Sequence, residues 1–498
     1  MLAASGCIDG NEAGRFRSKS FVVGKEQKKV AYKQTQRKSL GQHVVRNIVR
    51  GRQMNGGDSA FPSLLANDDE VSLSKRDQRS GSNATGSTER WDAIGKQSGD
   101  SSRKAAVTLS KRLLEIARQS SSTLSGRQVI DCMATLREWY REDACQSLGL
   151  VLATRIGNDQ SLRDSLDGAD IATCLSTLSK WNKELACRTA AMELAKTLEA
   201  DANLRNSLSG HELSICLNAL STWHDDDSCT RAGIALTRRI ASDRPLLDGL
   251  NGSAVAGAMK ALGLWHKHRV CFDAVTRLAN RLATDEGLIR QLNGTRLASC
   301  LGALSKWSTE HACRVAGRRL AKRVCDDGEL RDHLNGRHLA VCLDALARWK
   351  SDDLCRSAAT KLSRRLASDA SVCNRLTAKH VINCFIALHN LGGNTAYRAV
   401  IRLSHRLLAD DLLLKQFDGS GATECLRALS SFQSENVCHE AAKRLAKRIL
   451  TDDALFSPPH HIYAQVCLEL LSVWNTDDIF TKAATQILQR IRVHTSSY

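Results

Sequence analysis

The chain has 498 residues, 71 Lys+Arg against 53 Asp+Glu for a formal net charge of +18, 42% hydrophobic residues, 4% aromatic residues and four prolines. That length and apolar content exclude a disulfide miniprotein, and so few aromatic and proline residues favour helices over a β-sandwich. No 18 apolar residues run together and the first thirty lack the apolar core of a secretory signal, so no membrane span is read and a soluble chain is expected.

Residues 1–103 carry Ser/Gly/Gln/Asn-rich stretches such as Ser80 to Ser87 and few periodic apolar positions, and are predicted to be disordered. The first fifty residues hold 11 Lys+Arg against three acids, with a basic stretch from Lys25 to Lys38. A solvated tail is preferred there over a nuclear-import or nucleic-acid arm. Gly81 to Gly86 has the spacing of a phosphate loop, but Ser87 follows where that motif requires lysine. Residues 104–120 regain a helical stripe (Val107, Leu109, Leu113, Leu114, Ile116, Ala117) and are read, with Trp91, as a degenerate capping unit.

From 121 to 498 the chain repeats itself. Trp139, Trp181, Trp223, Trp265, Trp307 and Trp349 are spaced by 42 residues, and the series continues through Leu391, Phe432 and Trp474 with one residue lost between Leu391 and Phe432. Seven residues before this position stands Cys132, Cys174, Cys216, Cys300, Cys342, Cys384, Cys425 or Cys467, with Ala258 substituting once. Six residues after it come Cys145, Cys187, Cys229, Cys271, Cys313, Cys355 and Cys438. Nine repeats account for the region.

Within one repeat, Leu339, Cys342, Leu343, Leu346 and Trp349 form the apolar stripe of a first helix, and Leu354, Cys355, Ala358, Ala359, Leu362 and Leu366 that of a second. Between them an acid (Glu142, Glu184, Asp226, Glu310, Asp352, Glu435 or Asp477) suits the N-terminus of the second helix. After it, Asp159, Asp201, Asp243, Asp285, Asp327, Asp369, Asp410 and Asp452 are predicted to cap one short helical turn. Gly126, Gly168, Gly210, Gly252, Gly294, Gly336 and Gly419 are read as left-handed residues ending that turn. No such repeat buries both faces alone, so neighbours must stack, and the fold expected is an all-α α-solenoid. The chain stops just after a second helix without a polar cap, which leads us to expect either further chain or a partner there.

Eighteen cysteines raise the question of disulfides or zinc. No Cys-x-x-Cys occurs and fifteen of the eighteen lie on apolar helix stripes, so they are read as small core residues of a reducing compartment, with no metal site. The tryptophans (Trp139, Trp181, Trp223, Trp265, Trp307, Trp349, Trp474) end apolar stripes and are read as structural core closing the interface of first and second helix, in preference to a base-stacking ladder. Sixteen residues after the Trp position, or fifteen after Leu391 where one residue is lost, come Arg155, Arg239, Arg281, Arg323, Arg365, Arg406, Arg448 and Arg490, with Thr197 the exception. Stacking aligns them into a candidate binding ladder for phosphates or an acidic partner. The competing and preferred account is local: most precede the repeated Asp by four residues at a helix C-terminus. No HExxH, P-loop lysine motif or nucleophile elbow is present, so no catalytic residue, cofactor or small-molecule substrate is inferred. His460 and His461 are read as a helix-entry irregularity ahead of a metal site.

The tripeptides Ser179-Lys180-Trp181 and Ser305-Lys306-Trp307, with variants Ser221-Thr222-Trp223 and Ala347-Arg348-Trp349, recur in a Leu-rich helix. In this the chain resembles the SKWP-repeat effectors that plant-pathogenic bacteria such as Ralstonia and Xanthomonas inject by type III secretion. It departs from them in lacking the motif's proline, with Asn182, Ser308 and Lys350 in its place, and in being shorter than usual. The resemblance implies HEAT/armadillo-like repeats over about 121–498, no catalytic centre, and delivery into the host cell, its cytoplasm or nucleus. A looser likeness to octotricopeptide and heptatricopeptide repeats gives the alternative, RNA binding through the Arg ladder. The function expected first is a non-enzymatic scaffold that binds a host protein along one face of the solenoid.

Overall fold

The computed structural model describes residues 100–119, 124, 126–452, 455–456, 463–474 and 477–495. Nearly all of the expected disordered region, the Gly81 to Gly86 stretch, Trp91 and the His460–His461 pair lie outside them. Every regular element among the described residues is a helix, and none is long and apolar enough to cross a membrane.

The described residues divide into two compact bodies, up to 149 and from 150 onward. In the first, the expected capping helix spans Asp100–Gln119 and buries Ala106 and Leu113. It is tied down by Arg103, which holds Glu142 at 2.8 and 3.1 Å, and by Ser110, whose hydroxyl lies 3.3 Å from the Cys145 thiol.

The second body is the repeat made solid. A first helix (Gly168–Leu178) passes through a 3-10 turn (Ser179–Trp181) into a second helix (Leu185–Ala200) and a short third one (Ala202–Ser207). The next repeat follows with Gly210–Leu220, Asp227–Ser242 and Arg244–Gly249, and the series runs to Ala464–Ser472 and Asp478–Thr495. First helices pack on first helices of the adjoining repeats and second helices on second, giving two parallel layers around one continuous core. The core repeats with the sequence: Leu178, Leu220, Leu262, Leu304, Leu346, Leu388 and Leu429 occupy one position and are all fully buried. Each contributes roughly 1.5–3 kcal/mol of apolar burial.

The third helices begin as predicted. The carboxylates of Asp159, Asp201, Asp243, Asp285, Asp327, Asp369 and Asp410 each accept a backbone N–H from inside the first turn. At the second helices, Asp226 and Asp352 cap with their side chains, whereas Glu184, Glu310 and Glu435 occupy the capping position without such a bond.

Two sequence readings are corrected. The repeated glycines do not end a turn in the left-handed region; they open the first helix, directly after a capping Asp167, Ser209, Asn251, Asn293, Asn335 or Asp418. Their reason is close approach. A Cβ on Gly168, Gly210 or Gly294 would stand 2.7–2.9 Å from the Cδ2 of Leu208, Leu250 or Leu334, which follows the short third helix of the same repeat. The tryptophans, in turn, do more than close a first helix on its own second helix. The ring of Trp265 lies on Gly233 and that of Trp349 on Gly317, both in the second helix of the preceding repeat. Most of the rings are buried, but Trp139 and Trp307 are only half-buried.

The lost residue also has a place. Positive φ occurs at Gly392 (63°) and Gly393 (78°), in the shortened link between Ala378–Leu391 and Gly393–Ala409. Two glycines take a backbone path there that other residues resist, and the register of the core is kept.

Candidate functional site

The arginine ladder forms, but its guanidinium groups turn inward. Nη1 of Arg239 donates to the carbonyls of Arg205 and Leu208, both at 2.6 Å, at the C-terminal end of the preceding short helix. Arg281 donates to the Leu247 carbonyl, Arg323 to Ile289, Arg365 to Arg331 and Asp332, Arg406 to Cys373 and Leu376, and Arg448 to Phe417. Arg490 reaches the Asp452 carbonyl at 3.4 Å. Each side chain from Arg239 to Arg448 also faces the Asp four residues on, at 3.3–3.9 Å, and is only 10–18% exposed. Arg155 pairs likewise with Asp159 at 3.7 Å. The guanidinium groups satisfy the orphan carbonyls of one repeat from the second helix of the next. The i, i+4 pairing with Asp was visible in the sequence. The carbonyl partners, thirty or more residues back, were not.

The outward surface of the first helices behaves differently. Two residues before the invariant leucine the chain places Ser176, Asn218, Lys260, Gly302, Asp344, Ile386 and Arg427, seven different residues, none of them buried. Five residues before it stand Thr173, Ile215, Gly257, Ser299, Val341, Asn383 and Glu424, again all different and all part-exposed. Immediately before the Trp position are Lys180, Thr222, Leu264, Lys306, Arg348, Asn390 and Ser431. One helix thus carries a fixed inner stripe and an outer stripe that changes at every repeat.

The charge on this outer stripe is mainly positive. Lys260 donates to the Asn218 amide oxygen at 3.0 Å, and burial together with the charges of Arg337 and Lys180, each two repeats away, holds its amine below the ordinary value. Burial and Arg337 lower His338; burial, Arg337, Lys379 and His338 lower His380. The acids nearby are engaged: Glu212 closes a capping box with Ser209, Asp344 faces Arg348 at 3.6 Å and Glu424 faces Arg427 at 3.7 Å. Aliphatic side chains interleave with the charges, and Leu264 is 42% exposed.

The cysteines lie where packing demands. Of seventeen described, all are free thiols and all but Cys132 and Cys325 are buried. Burial pushes Cys187, Cys271, Cys300, Cys313 and Cys355 up to about 12, so at neutral pH they stand as thiols. No group of three or more His, Cys, Asp or Glu side chains among the described residues is placed to hold a metal ion.

Fold and face together define a helical-repeat solenoid. No protein-family model and no curated protein matches the chain.

Proposed function

We propose that the chain is a non-catalytic scaffold whose first-helix face holds a macromolecule, a protein with an acidic surface. The observation that carries this reading is the contrast within single helices: leucine at every repeat on the buried side, seven different residues two positions away on the open side. Stacking demands uniformity, so it explains the first stripe and leaves the second to recognition. The mixture of lysine and aliphatic side chains suits an acidic polypeptide better than a nucleic acid, which draws on exposed aromatic rings for stacking. RNA reading by the Arg ladder finds less support, because those guanidinium groups are bonded to backbone carbonyls. The setting we infer with it is the one the SKWP-repeat resemblance implies, injection into a host cell.

The test uses the full chain and a variant with Lys180, Lys260, Lys306 and Arg348 reversed to Glu, each presented to plant extract with and without nuclease treatment. The reading expects a discrete set of proteins on the wild type, released by salt, and absent from a variant that melts at the same temperature. An identical bound set on both, or binding that disappears with nuclease treatment, overturns it.

A further inference from the structure

The Arg column is interrupted once, at Thr197 in the second helix Leu185–Ala200. The rest of the arrangement is still present. Asp201 stands four residues on and caps its short helix through Leu204, as its counterparts do, but has no ion pair among the described residues. The carbonyls that a ladder arginine would meet are those of Arg163 and Leu166, the equivalents of Arg205 and Leu208, which hold Arg239 one repeat later at 2.6 Å. In the place of the missing side chain there is a cleft of about 770 Å³ whose walls include Arg163, Asp164, Glu193, Lys196, Thr197 and Asp201.

Neither nearby cation fills it. Nη1 of Arg163 is bonded to the Ile156 and Gly157 carbonyls at 2.8 and 2.7 Å, and its Nη2 faces Glu193 at 3.7 Å. Arg205 and Arg331 make the same pair of bonds to Leu198 and Glu199 and to Val324 and Cys325, in repeats whose stacked neighbour does supply a ladder arginine. The Nη1 bonds of Arg163 therefore follow its own column, and its Nη2 turns to Glu193 and not to Asp201. Lys196 turns to Glu193 at 2.7 Å and is 52% exposed. Three carboxylates against two cations, together with the carbonyls, leave the cleft suited to one further positive group.

We propose that the cleft at Thr197 is a socket for a guanidinium group from outside the chain, an arginine side chain presented by the bound protein. The same chain demonstrates the fit: at Arg239 and Arg406 one guanidinium donates to two carbonyls of the preceding short helix while facing an Asp. At Arg406 the two nitrogens of the planar fork divide those bonds between them, a geometry that the single nitrogen of an ammonium, on a shorter stem, does not reproduce. The source of the arginine rests on the scaffold reading, whereas the socket itself does not.

Calorimetry with the full chain and N-acetyl-arginine amide tests the socket without any partner. Saturable binding at one site is expected, at least tenfold weaker for the lysine counterpart and lost in Thr197→Arg, whose own side chain would occupy the cleft and raise the melting temperature. Asp201→Asn keeps a good helix cap and is expected to weaken the probe at least fivefold with its melting little changed. No saturable binding to the wild type, equal binding of arginine and lysine probes, or undiminished binding to either variant overturns the socket. Absent probe binding with protein capture intact removes the socket alone; probe binding with capture absent keeps it and removes the scaffold reading.

Discussion

The indole Nε1 of Trp349 donates to the carbonyl oxygen of Ser308 at 2.9 Å, 41 residues earlier and one repeat away. Trp223 does the same to Asn182 at 3.2 Å, while the Nε1 of Trp265 is buried with no partner. The rings thus join consecutive repeats, and Trp265 and Trp474 each leave a donor unmet. Trp349→Ala is expected to destabilise by about 3–5 kcal/mol, as large-to-small core changes do. Trp349→Phe should cost about 1 kcal/mol more than Trp265→Phe, since only the former gives up a made hydrogen bond. Urea unfolding of the three variants checks the order, and equal costs for the two phenylalanine variants would contradict it.

Arg239 meets two carbonyls at 2.6 Å and faces Asp243 at 3.5 Å with 17% exposure. Its replacement by Ala is expected to cost about 1.5–3 kcal/mol, the range for hydrogen bonds from a charged donor. Because carbonyls and not a solvated ion pair are the main acceptors, the loss should persist in 0.5 M salt, roughly where surface pairs are screened out. Arg239→Lys should recover less than half of it, because the lysine nitrogen stands one bond nearer the backbone than Nη1 and has no second nitrogen to face Asp243. Changing Arg239, Arg281, Arg323 and Arg365 together to Ala should unfold the array. A folded quadruple variant that has lost RNA affinity would return the column to a binding role. Circular dichroism during urea titration, followed by an RNA-binding titration against salt, makes both readings.

How far the sequence disclosed this arrangement depended on where each residue's partner sits. Leu346 and Leu366 were legible because a helix stripe is local and the 42-residue period states which stripes must merge. Asp327 was legible as a cap because its bond to the Leu330 N–H is three residues long. Gly210 was misread because the group that excludes its Cβ is Leu250, forty residues on, and an Asx-Gly or Ser-Gly pair suits a left-handed turn equally well. Arg323 showed only its neighbour Asp327, not the Ile289 carbonyl that it bonds. The open face escaped for a different reason. Repetition marks the core, so Asn218, Lys260 and Gly302 carry no periodic signature; only their variation beside a fixed leucine distinguishes them.

The glycines divide into two kinds that substitution should separate. Gly392 has φ of +63° and nothing within 4 Å of a Cβ, so Gly392→Ala meets backbone strain alone, about 1 kcal/mol, and Gly392→Asn should cost less. Gly210 has ordinary helical backbone, but its Cβ would stand 2.7 Å from Leu250 Cδ2. Gly210→Ala is expected to cost about 1–3 kcal/mol by overpacking. Leu250→Ala in the same chain should offset part of that cost, giving a coupling energy of the sign expected for a relieved clash. Thermal unfolding of the single and double variants decides it; additive effects at Gly210 and Leu250 would contradict the close approach.

Buried thiols make the fold sensitive to alkali. Burial raises Cys300 from 9.0 to about 12, so between these values the folded chain keeps a proton that the unfolded chain gives up. Where the native state binds more protons, stability falls as pH rises. The contribution of Cys300 is therefore fully present below pH 9.0, and it declines as pH approaches about 12. Ala258 already occupies the equivalent position one repeat earlier, fully buried, so Cys300→Ala should fold and should lack this dependence. Urea midpoints from pH 8 to 11 are expected to converge, the wild type losing ground to the variant at the alkaline end even as lysines and tyrosines titrate in both. Parallel curves would mean that the Cys300 thiol ionises as readily in the folded chain as in the unfolded one.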